Sequence, residues 1–417
     1  MRVQLGPARA RPWRAPWLLA GLVAVCAPRP ADGSGDNRVR AGVTYFHEPA
    51  RNTPLSVVHP QVSYSQDYTR HFGMSLGYDA DIVTGATPQI FGVDVTSSAT
   101  KFQDVRHNGT VGLRFMSDLA TFRIGGGFAG ENDYRSGTIQ LGATADLFQR
   151  NTQVSVDYVH NIDRVCDAAN SATQELLELR ALDSSDLCFR DSAETTTRKL
   201  SIDTVNLSIT QVLTPWLLGQ AGIVGQHLRG FQSNPYRQVL LGRRAVQEHL
   251  PDIRNRMSVF ARLKFALRPV RGSIELFGRF YADSWAIEGV TVQAAWDQYL
   301  ARPLILRLRG RLHVQDSALF YRDGSEYASS GAAGSYWTGD RELSALMNTT
   351  LGAKLTYLAR VPANSRIRRI ESFRVSAKTD LLFYRSRTDN PAFSPNAERT
   401  RGLLDAIVIQ AQAGFDF

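Results

Sequence analysis

The chain has 417 residues, which is enough for two ordinary globular domains or one large barrel. Its formal net charge is +9 at pH 7, but part of this charge comes from arginines near the N-terminus, so the rest of the chain is only mildly basic. The body of the chain has no run of about 20 apolar residues, no basic–aromatic stripe, no phosphate loop and no zinc-ligand spacing. These absences argue against membrane-spanning helices, nucleic-acid binding and a bound cofactor.

The first predicted element is a secretory leader. Its basic residues are Arg2, Arg9, Arg11 and Arg14. They precede an apolar stretch at 15–27 that ends in small residues and is shorter than the roughly 20 residues that span a bilayer. We therefore predict a signal peptide at residues 1–27, cleaved between 27 and 33, and an exported domain at 38–417.

Period-two alternation of apolar and polar residues dominates the remaining sequence and predicts an all-β protein. The predicted strands are 38–47, 54–66, 69–80, 105–117, 119–130, 134–148, 151–162, 198–213, 215–228, 255–268, 271–284, 286–300, 303–316, 341–359, 371–387 and 402–417. Most are longer than the roughly 5–6 residues usual in globular sheets, whereas a tilted strand needs about 9–11 residues to cross a bilayer. An even number of strands, sixteen or fourteen, would bring both chain ends to one side.

The connections between these strands alternate between short and long. Tight turns are predicted at 67–68, 118, 149–150, 214, 269–270 and 301–302. Two connections depart from the alternation, because the one near 285 is short and the one at 360–370 is long. The pattern predicts a transmembrane antiparallel up-and-down β-barrel with short periplasmic turns and longer outer loops. It would be integral to the outer membrane of a Gram-negative bacterium, with both termini periplasmic.

One face of each predicted strand is apolar. Three such sets are Phe72, Met74, Leu76 and Tyr78; Val111, Leu113 and Phe115; and Met257, Val259, Ala261, Leu263, Phe265 and Leu267. Alternation alone does not say which face points inward, but strand length and the leader favour apolar side chains toward lipid. Trp216 and Trp285, at opposite ends of their hairpins, are expected in interfacial aromatic belts.

The polar face is rich in cations on three of the predicted strands. The candidate lumen-facing basic wall comprises Arg262, Lys264, Arg268, Arg279, Arg307, Arg309 and Arg311. Glu275 and Asp283 lie in the same phase. Two interpretations remain open: the wall lines a water-filled pore that favours anions, or arginines and carboxylates form a network that ties the wall together or fills the interior.

The C-terminal segment IVIQAQAGFDF alternates to its last residue and ends on an aromatic. It resembles the last-strand signal that the barrel-assembly machinery reads in outer-membrane proteins, with Phe415 and Phe417 as the candidate signal residues. A regular final strand would pair with the first strand and leave no open sheet edge in the membrane.

Two cysteines, Cys166 and Cys188, follow the leader and lie in the longest loop. In an oxidising compartment they predict a disulfide, with two unpaired thiols as the alternative. The loop would be either a constriction or lid folded inward, or a stabilised surface loop.

Neither a catalytic nor a metal site is predicted. His107 and His313 are candidates by residue type alone and lie in no recognisable hydrolase motif. Asp79, Asp81 and Asp94 could supply oxygen ligands, but they lack the EF-hand spacing and also suit turns.

Seven segments carry a resemblance to one family. They are YDADIVTGATP at 78–88, DVRHN at 104–108, GFQSNPYRQV at 230–239, LPDIRNRMSVFARLKF at 250–265, GRFYADSWAIEGVTV at 278–292, DSALFYRD at 316–323 and TGDRELSALMN at 338–348. In their order and spacing, the chain resembles the domain-of-unknown-function 3570 family of predicted bacterial outer-membrane β-barrels.

The resemblance implies an outer-membrane barrel and supplies neither an activity nor catalytic residues. Genes of that family often neighbour those of thioredoxin-like and flavin-transferring periplasmic proteins, which implies a redox context. We expect a porin-like channel or transporter for small polar solutes, anionic ones included, and not an enzyme. The alternative is a non-conducting scaffold that holds a partner in a periplasmic redox system. Expected contacts are outer-membrane lipid, the barrel-assembly machinery and small polar solutes, without nucleic acid; the oligomeric state is not predicted.

Overall fold

The computed structural model describes residues 37–49, 55–86, 101–168, 189, 195–235, 237–241, 244–322, 327, 335–361, 370–386 and 404–417. Within them, eighteen strands are present: Arg38–Glu48 (β1), Leu55–Thr69 (β2), Phe72–Ala86 (β3), Lys101–Met116 (β4), Ala120–Gly130 (β5), Tyr134–Leu147 (β6), Thr152–Ala168 (β7), Thr195–Thr214 (β8), Leu217–Gly230 (β9), Gln238–Leu241 (β10), Arg244–Gln247 (β11), Ile253–Leu267 (β12), Gly272–Asp283 (β13), Glu288–Ala301 (β14), Leu304–Gln315 (β15), Leu346–Arg360 (β16), Ser372–Ser386 (β17) and Ala406–Asp416 (β18). No helix in these residues is long and apolar enough to cross a membrane.

All of these strands except β10 and β11 form one closed antiparallel barrel of sixteen strands, each paired with its neighbours in chain order. The last strand closes the barrel against the first, in a register that runs from Arg38 opposite Asp416 to His47 opposite Ile407. The predicted fold class is therefore confirmed, and each of the sixteen predicted strands corresponds to one barrel strand. The alternation identifies the strands because a sheet that separates two different environments must alternate at every residue.

The two ends of the barrel differ. One end, called the turn end below, carries the short connections at 70–71, 117–119, 148–151, 215–216, 268–271 and 302–303, together with 361–371 and both ends of the described chain. The opposite end, called the loop end, carries the long connections, including 231–252 and 316–345, but also two short ones at 131–133 and 284–287.

Large apolar side chains cover the outside of the barrel. Of the side chains predicted to face lipid, those 38% to 49% exposed are Leu76, Tyr78, Val111, Phe115, Met257, Val259 and Leu263. At the turn end Trp216 is 51% exposed and stacks on Phe265, with ring centroids 6.3 Å apart, as expected of an interfacial aromatic.

Trp285 does not lie in an aromatic belt, so that expectation was wrong. It is 5% exposed and packs edge-on against Phe320 at the loop end, while its indole nitrogen donates to the Ile253 carbonyl. The sequence placed it at a hairpin tip without indicating that the loop 316–345 folds over that tip.

The short hairpin β10–β11 was not predicted. It lies inside the loop 231–252, which β9 enters through Gly230 at a φ of 120°. A Cβ at Gly230 would collide with the Lys199 carbonyl oxygen, so only glycine allows the chain to leave the barrel in this direction.

Candidate functional site: the inner wall and the loop-end cap

Ion pairs bridge strands that are not neighbours in the sheet. Arg123 on β5 pairs with Asp157 on β7 at 2.7 Å, and Gly142 of β6 lies between them. Two more pairs also cross a glycine of the strand between them, namely Arg114 with Asp67 across Gly73 and Arg309 with Asp380 across Gly352. Side chains of second-neighbour strands converge only on the concave side of a curved sheet, so this polar face is the inner face of the barrel.

These glycines are required for the ion pairs. A Cβ at Gly142 would lie 2.5 Å from Asp157 Oδ1 and 3.0 Å from Arg123 Nε. We expect Gly142→Ala to displace the pair and lower the free energy of unfolding by no more than about 1 kcal/mol, because the pair is exposed to solvent, as measured by urea unfolding in detergent micelles. The matched control is Gly137→Ala on the outer face of the same strand, where the nearest atom, the Ile162 carbonyl oxygen, is 4.0 Å away. Equal losses in the two variants would contradict the steric account.

Part of the predicted basic wall is neutralised. Arg307 donates to Glu275 at 2.8 Å and to Asp297 at 3.0 Å, and Lys264 lies 3.7 Å from the same aspartate. Arg309 pairs with Asp380 at 2.7 Å. These cations hold the wall together on β12 to β17.

The rest of the predicted wall is not neutralised. Within the described residues, no carboxylate is in ion-pair distance of Arg262, Arg279 or Arg311. Arg262 lies over the Phe277 ring, 5.4 Å from its centroid, and Arg279 donates to the Thr291 hydroxyl at 3.5 Å. Arg279 and Arg309 both act electrostatically on Arg311, so the middle of the wall carries excess positive charge.

Arg268 lies outside the strand on which it was predicted. β12 ends at Leu267, and Arg268 begins the exposed turn that follows, where it donates to the Pro215 carbonyl at 3.4 Å. It therefore belongs to the turn-end opening and not to the middle of the wall.

Sequence reasoning missed cations further round the barrel. Lys354 and Lys378 stand directly in register with Arg307 across β15, β16 and β17. Lys354 is within electrostatic range of Arg307, Lys378, Arg374 and Arg40. All of these follow the polar phase of their strands, but only the strand register places them beside the predicted wall.

A cavity of about 310 Å³ opens on the inner wall where β18, β1 and β3 carry glycine. Gly414, Gly42 and Gly77 line it, with Arg40 and Arg374 at its edge. The wall recedes there because these positions lack side chains.

The loop end carries a packed structure, called the cap below, that consists of residues 231–252, 284–287 and 316–345 as far as they are described. Its first buried cluster is Leu250, Trp285, Ile287, Ala318, Tyr321 and Leu343, and its second is Val239, Val246, Tyr327 and Trp337. Backbone hydrogen bonds of 3.0 Å in both directions join His249 to Trp337, and so join one long loop to the other.

The cap rests on the inner face of the barrel. Gln247 donates to Asp167 of β7 at 2.9 Å, and Gln315 of β15 donates to the Glu342 and Ser344 carbonyls at 2.7 and 2.9 Å. Asp167 and Gln315 both lie in the polar, inward phase of their strands. The cap therefore reaches from β15 to β7 across the loop-end opening.

A buried ion pair anchors the cap to the barrel. Arg254 of β12 donates through Nε to Asp283 at 2.9 Å, and its guanidinium lies 4.0 Å from the centre of the Trp285 ring. The second carboxylate oxygen of Asp283 accepts the backbone N–H groups of Trp285 and Ile287 at 2.9 and 3.0 Å. The aspartate thus fixes the turn on which the first cluster packs.

Within the cap itself, one arginine forms ion pairs with two carboxylates. Arg237 lies 3.2 Å from Glu248 and 2.8 Å from Asp340, whose side chains are 1% and 20% exposed. Burial raises the pKa of Glu248 above its ordinary value, although Arg237, the Thr338 hydroxyl and the Asn234 N–H oppose this. Burial is the largest of these effects on Glu248, so the net direction of its pKa is upward.

The cap should therefore loosen as the pH rises. With a raised pKa in the folded cap, Glu248 favours folding below the ordinary carboxyl range, and this contribution is lost as the pH rises through the raised pKa. We expect amide hydrogen exchange at 244–250, corrected for the intrinsic rate, to be better protected at acidic than at alkaline pH. Glu248→Gln should abolish the difference, and protection that increases with pH would contradict this assignment.

Residues 93–368 match the family described as "Protein of unknown function (DUF3570)". The chain belongs to this family. The suspected family membership is thereby confirmed. No curated protein sequence matches the chain.

Three solved structures are similar to the chain at low sequence identity. A "Bacterial polysaccharide outer membrane secretin" is 8% identical, with a TM-score of 0.45 over 91% of this chain and 99% of that one. OccK2 (OpdF) of Pseudomonas aeruginosa, solved in complex with glucuronate, is 9% identical, with a TM-score of 0.38 over 92% of this chain and 98% of that one. The siderophore receptor PirA of Acinetobacter baumannii is 9% identical, with a TM-score of 0.41 over 84% of this chain and 53% of that one.

Five of the seven segments that carry the family resemblance meet in the cap. GFQSNPYRQV contributes Arg237, and Ser233, whose hydroxyl accepts the Leu250 N–H at 2.9 Å. The ion pair of Arg254 with Asp283 comes from two further segments, and TGDRELSALMN brings Asp340. Short segments scattered over more than 100 residues of sequence thus form one contiguous element in this member of the DUF3570 family.

The remaining predicted residues lie on either face of the barrel or outside the described chain, and His313 alone among them lies near the inner wall cations Arg279 and Arg311. Cys166 is fully buried at the loop end of β7, whereas Cys188 lies outside the described residues, so their disulfide stays a prediction, as does the signal peptide at 1–27. His107 shares a hydrogen bond of 2.8 Å with the Tyr78 hydroxyl on the outer face. His313 shares one of 2.9 Å with the Thr291 hydroxyl on the inner face.

The acidic candidates do not converge. Asp79 accepts from Asn108 at 2.9 Å and Asp81 pairs with His59 at 2.7 Å, while Asp94 lies outside the described residues. In the part of the chain that is described, no three His, Cys, Asp or Glu side chains are grouped to hold a metal ion.

The C-terminal aromatics lie at the turn end. The Phe417 N–H donates to the Asn37 carbonyl at 3.0 Å, and its ring lies 6.0 Å from that of Phe415. This hydrogen bond joins the end of the last barrel strand to the residue that precedes β1. Recognition of the two residues by the barrel-assembly machinery stays a prediction.

Proposed function

We propose that the protein is an integral outer-membrane channel for small polar solutes, with a preference for anions and with the loop end facing outward. Strands of 11 to 20 residues are long enough to cross a bilayer, and the outer surface bears exposed apolar side chains. A closed barrel leaves no unpaired strand edge in the hydrocarbon. Short periplasmic turns and longer outer loops are usual in such barrels, which supports both termini being periplasmic.

The ion pairs that the structure describes run along the wall and not across the interior of the barrel. This direction favours a channel over a filled interior. Arg123 reaches Asp157, and Arg309 reaches Asp380, over a single intervening strand. In the described residues, every ion pair within the barrel wall joins side chains on the same strand or on strands at most two apart. Such pairs brace the wall and leave the centre of a sixteen-stranded barrel to water.

The unneutralised cations are the observation that carries the anion preference. Arg279 and Arg311 face the interior from β13 and β15 without a carboxylate partner among the described residues, and Lys354 adds charge on β16. A row of fixed positive charges beside water lowers the local energy of anions and raises that of cations.

The cap narrows the proposed channel at its outer end. It lies over the strands from β7 to β15, on the side of the barrel that carries the basic wall. We propose that solutes enter past the cap and that only small ones reach Arg279 and Arg311.

Solute uptake tests this function. Liposomes that contain the purified barrel should swell faster in a hexonate than in a neutral hexose of the same size, and a large polar trisaccharide should be excluded. Equal rates for the two small solutes would remove the anion preference. Absence of swelling with every solute would favour the alternative, a non-conducting scaffold that holds a partner.

A further inference from the structure

Four cations lie on the outer face at the loop end, on adjacent strands, and are called the outer cationic row below. They are Arg135 on β6, Arg164 on β7, Lys199 on β8 and Arg229 on β9. Arg135 is directly opposite Arg164, and Arg164 is directly opposite Lys199, while Arg229 pairs with Ser201, two residues further along β8. All four share the phase of the exposed apolar residues of their strands, so they point away from the barrel interior.

This arrangement is unfavourable without an anionic partner. Side chains directly opposite on neighbouring strands have Cβ atoms about 5 Å apart, and like charges at that distance repel. Arg164, Lys199 and Arg229 are exposed, and within the described residues no carboxylate pairs with them. Arg135 is held over the Phe189 ring, 4.2 Å from its centroid.

The surroundings indicate an amphiphile and not a soluble anion. Ile162, two residues from Arg164 on the same face, is 56% exposed, and Phe128 on β5 is 61% exposed. The next outward rung toward the turn end carries Ile162 and Ser201. The rung after it carries His160 and the Asp203 carboxylate, 2.8 Å apart, and beyond them the outer face becomes apolar. A molecule on this surface would therefore meet cations at one end, hydrogen-bonding groups in between and apolar side chains at the other.

We infer that the outer cationic row binds the phosphate groups of an anionic lipid headgroup in the outer leaflet. The orientation rests on the proposed function, which places the loop end outside. Guanidinium and ammonium groups bind phosphate through charge-assisted hydrogen bonds, and a row of them suits a headgroup with more than one phosphate. The acyl chains of the same lipid would lie against the apolar residues below.

Lipid binding by the detergent-solubilised full chain tests the inference. Native mass spectrometry would measure affinity for a diphosphorylated glycolipid of the lipid A type, its dephosphorylated form and inorganic pyrophosphate. Wild type should bind the diphosphorylated lipid most tightly, and Arg164→Gln with Lys199→Gln should weaken that binding about 10- to 30-fold. Arg70→Gln with Arg302→Gln, which removes two charges from exposed turns at the other end, should leave the affinity unchanged.

Three outcomes would overturn the inference: unchanged affinity in the double variant, tight binding of the dephosphorylated lipid, or pyrophosphate binding as tightly as the lipid. If the double variant fails to fold, Arg164→Gln and Lys199→Gln alone should each still weaken binding several-fold. Conductance recorded on the same preparations separates the two proposals. Lipid binding that depends on the row in a barrel without conductance would refute the channel and leave the row intact.

Discussion

Replacing Arg279 and Arg311 together by glutamate should turn an anion-preferring channel into a cation-preferring one. A unit charge about 6 Å from a permeating ion contributes about 0.7 kcal/mol in water and about half of that at physiological ionic strength. Two reversals change four unit charges, so the energy of chloride should rise and that of potassium should fall by about 1.4 kcal/mol each. The chloride-to-potassium permeability ratio should therefore fall about 100-fold. The measurement is the reversal potential of single channels in a planar bilayer under a salt gradient.

The control for this reversal changes the same number of charges elsewhere. Arg70→Glu with Arg302→Glu alters exposed turns at the turn end and should shift the ratio much less. A shift of similar size in both variants would mean that overall charge, and not the middle of the inner wall, sets selectivity. No shift in either would contradict the placement of Arg279 and Arg311 beside the ion path.

Removing the Asp380 carboxylate should cost much more stability than removing the Asp157 carboxylate, which belongs to a more exposed ion pair. Asp380 is 4% exposed and neutralises two cations, Arg309 at 2.7 Å and Lys378 at 2.6 Å. Asp380→Ala leaves both charges without their partner in a site largely shielded from water. We expect the free energy of unfolding to fall by about 3–5 kcal/mol, followed by tryptophan fluorescence during urea unfolding in lipid vesicles.

A similar ion pair that is exposed to solvent provides the comparison with Asp380. Asp157 and Arg123 also bridge a glycine, but their side chains are 36% and 37% exposed. Asp157→Ala should therefore cost no more than about 1 kcal/mol, because an exposed pair is screened by solvent. Equal losses at the two sites would show that burial does not decide the strength of these pairs.

The barrel could be predicted from the sequence because one physical constraint acts on every strand residue. A wall between lipid and a polar interior forces period-two alternation, and the phase of Arg307, Arg309 and Arg311 follows directly from it. Strand bounds were less certain, since β8 extends to Thr195 and β12 stops before Arg268. A residue in a turn, such as Arg268, can continue the alternation of the preceding strand by chance. A strand can also extend beyond the segment that alternates, as β8 does.

The pairing within the wall could not be predicted. Arg309 and Asp380 are 71 residues apart in the chain, and only the register of β15, β16 and β17 brings them together. Lys354 and Lys378 were missed for the same reason.

The cap could not be predicted because its strands are short and its contacts are long-range. Each strand of the β10–β11 hairpin has four residues, and Gln247 of β11 accepts the Trp337 indole N–H, 90 residues away in the chain. Trp285 was misplaced because its burial depends on Phe320 from another loop. The family resemblance marked the segments of the cap without indicating that they touch.

The most direct test of the account is the conductance of the purified wild-type barrel in a planar bilayer. A water-filled interior lined by Arg279, Arg311 and Lys354 predicts discrete single-channel steps and a reversal potential on the anion-selective side. A barrel that inserts into the bilayer but passes no current, or that prefers potassium to chloride, would contradict it.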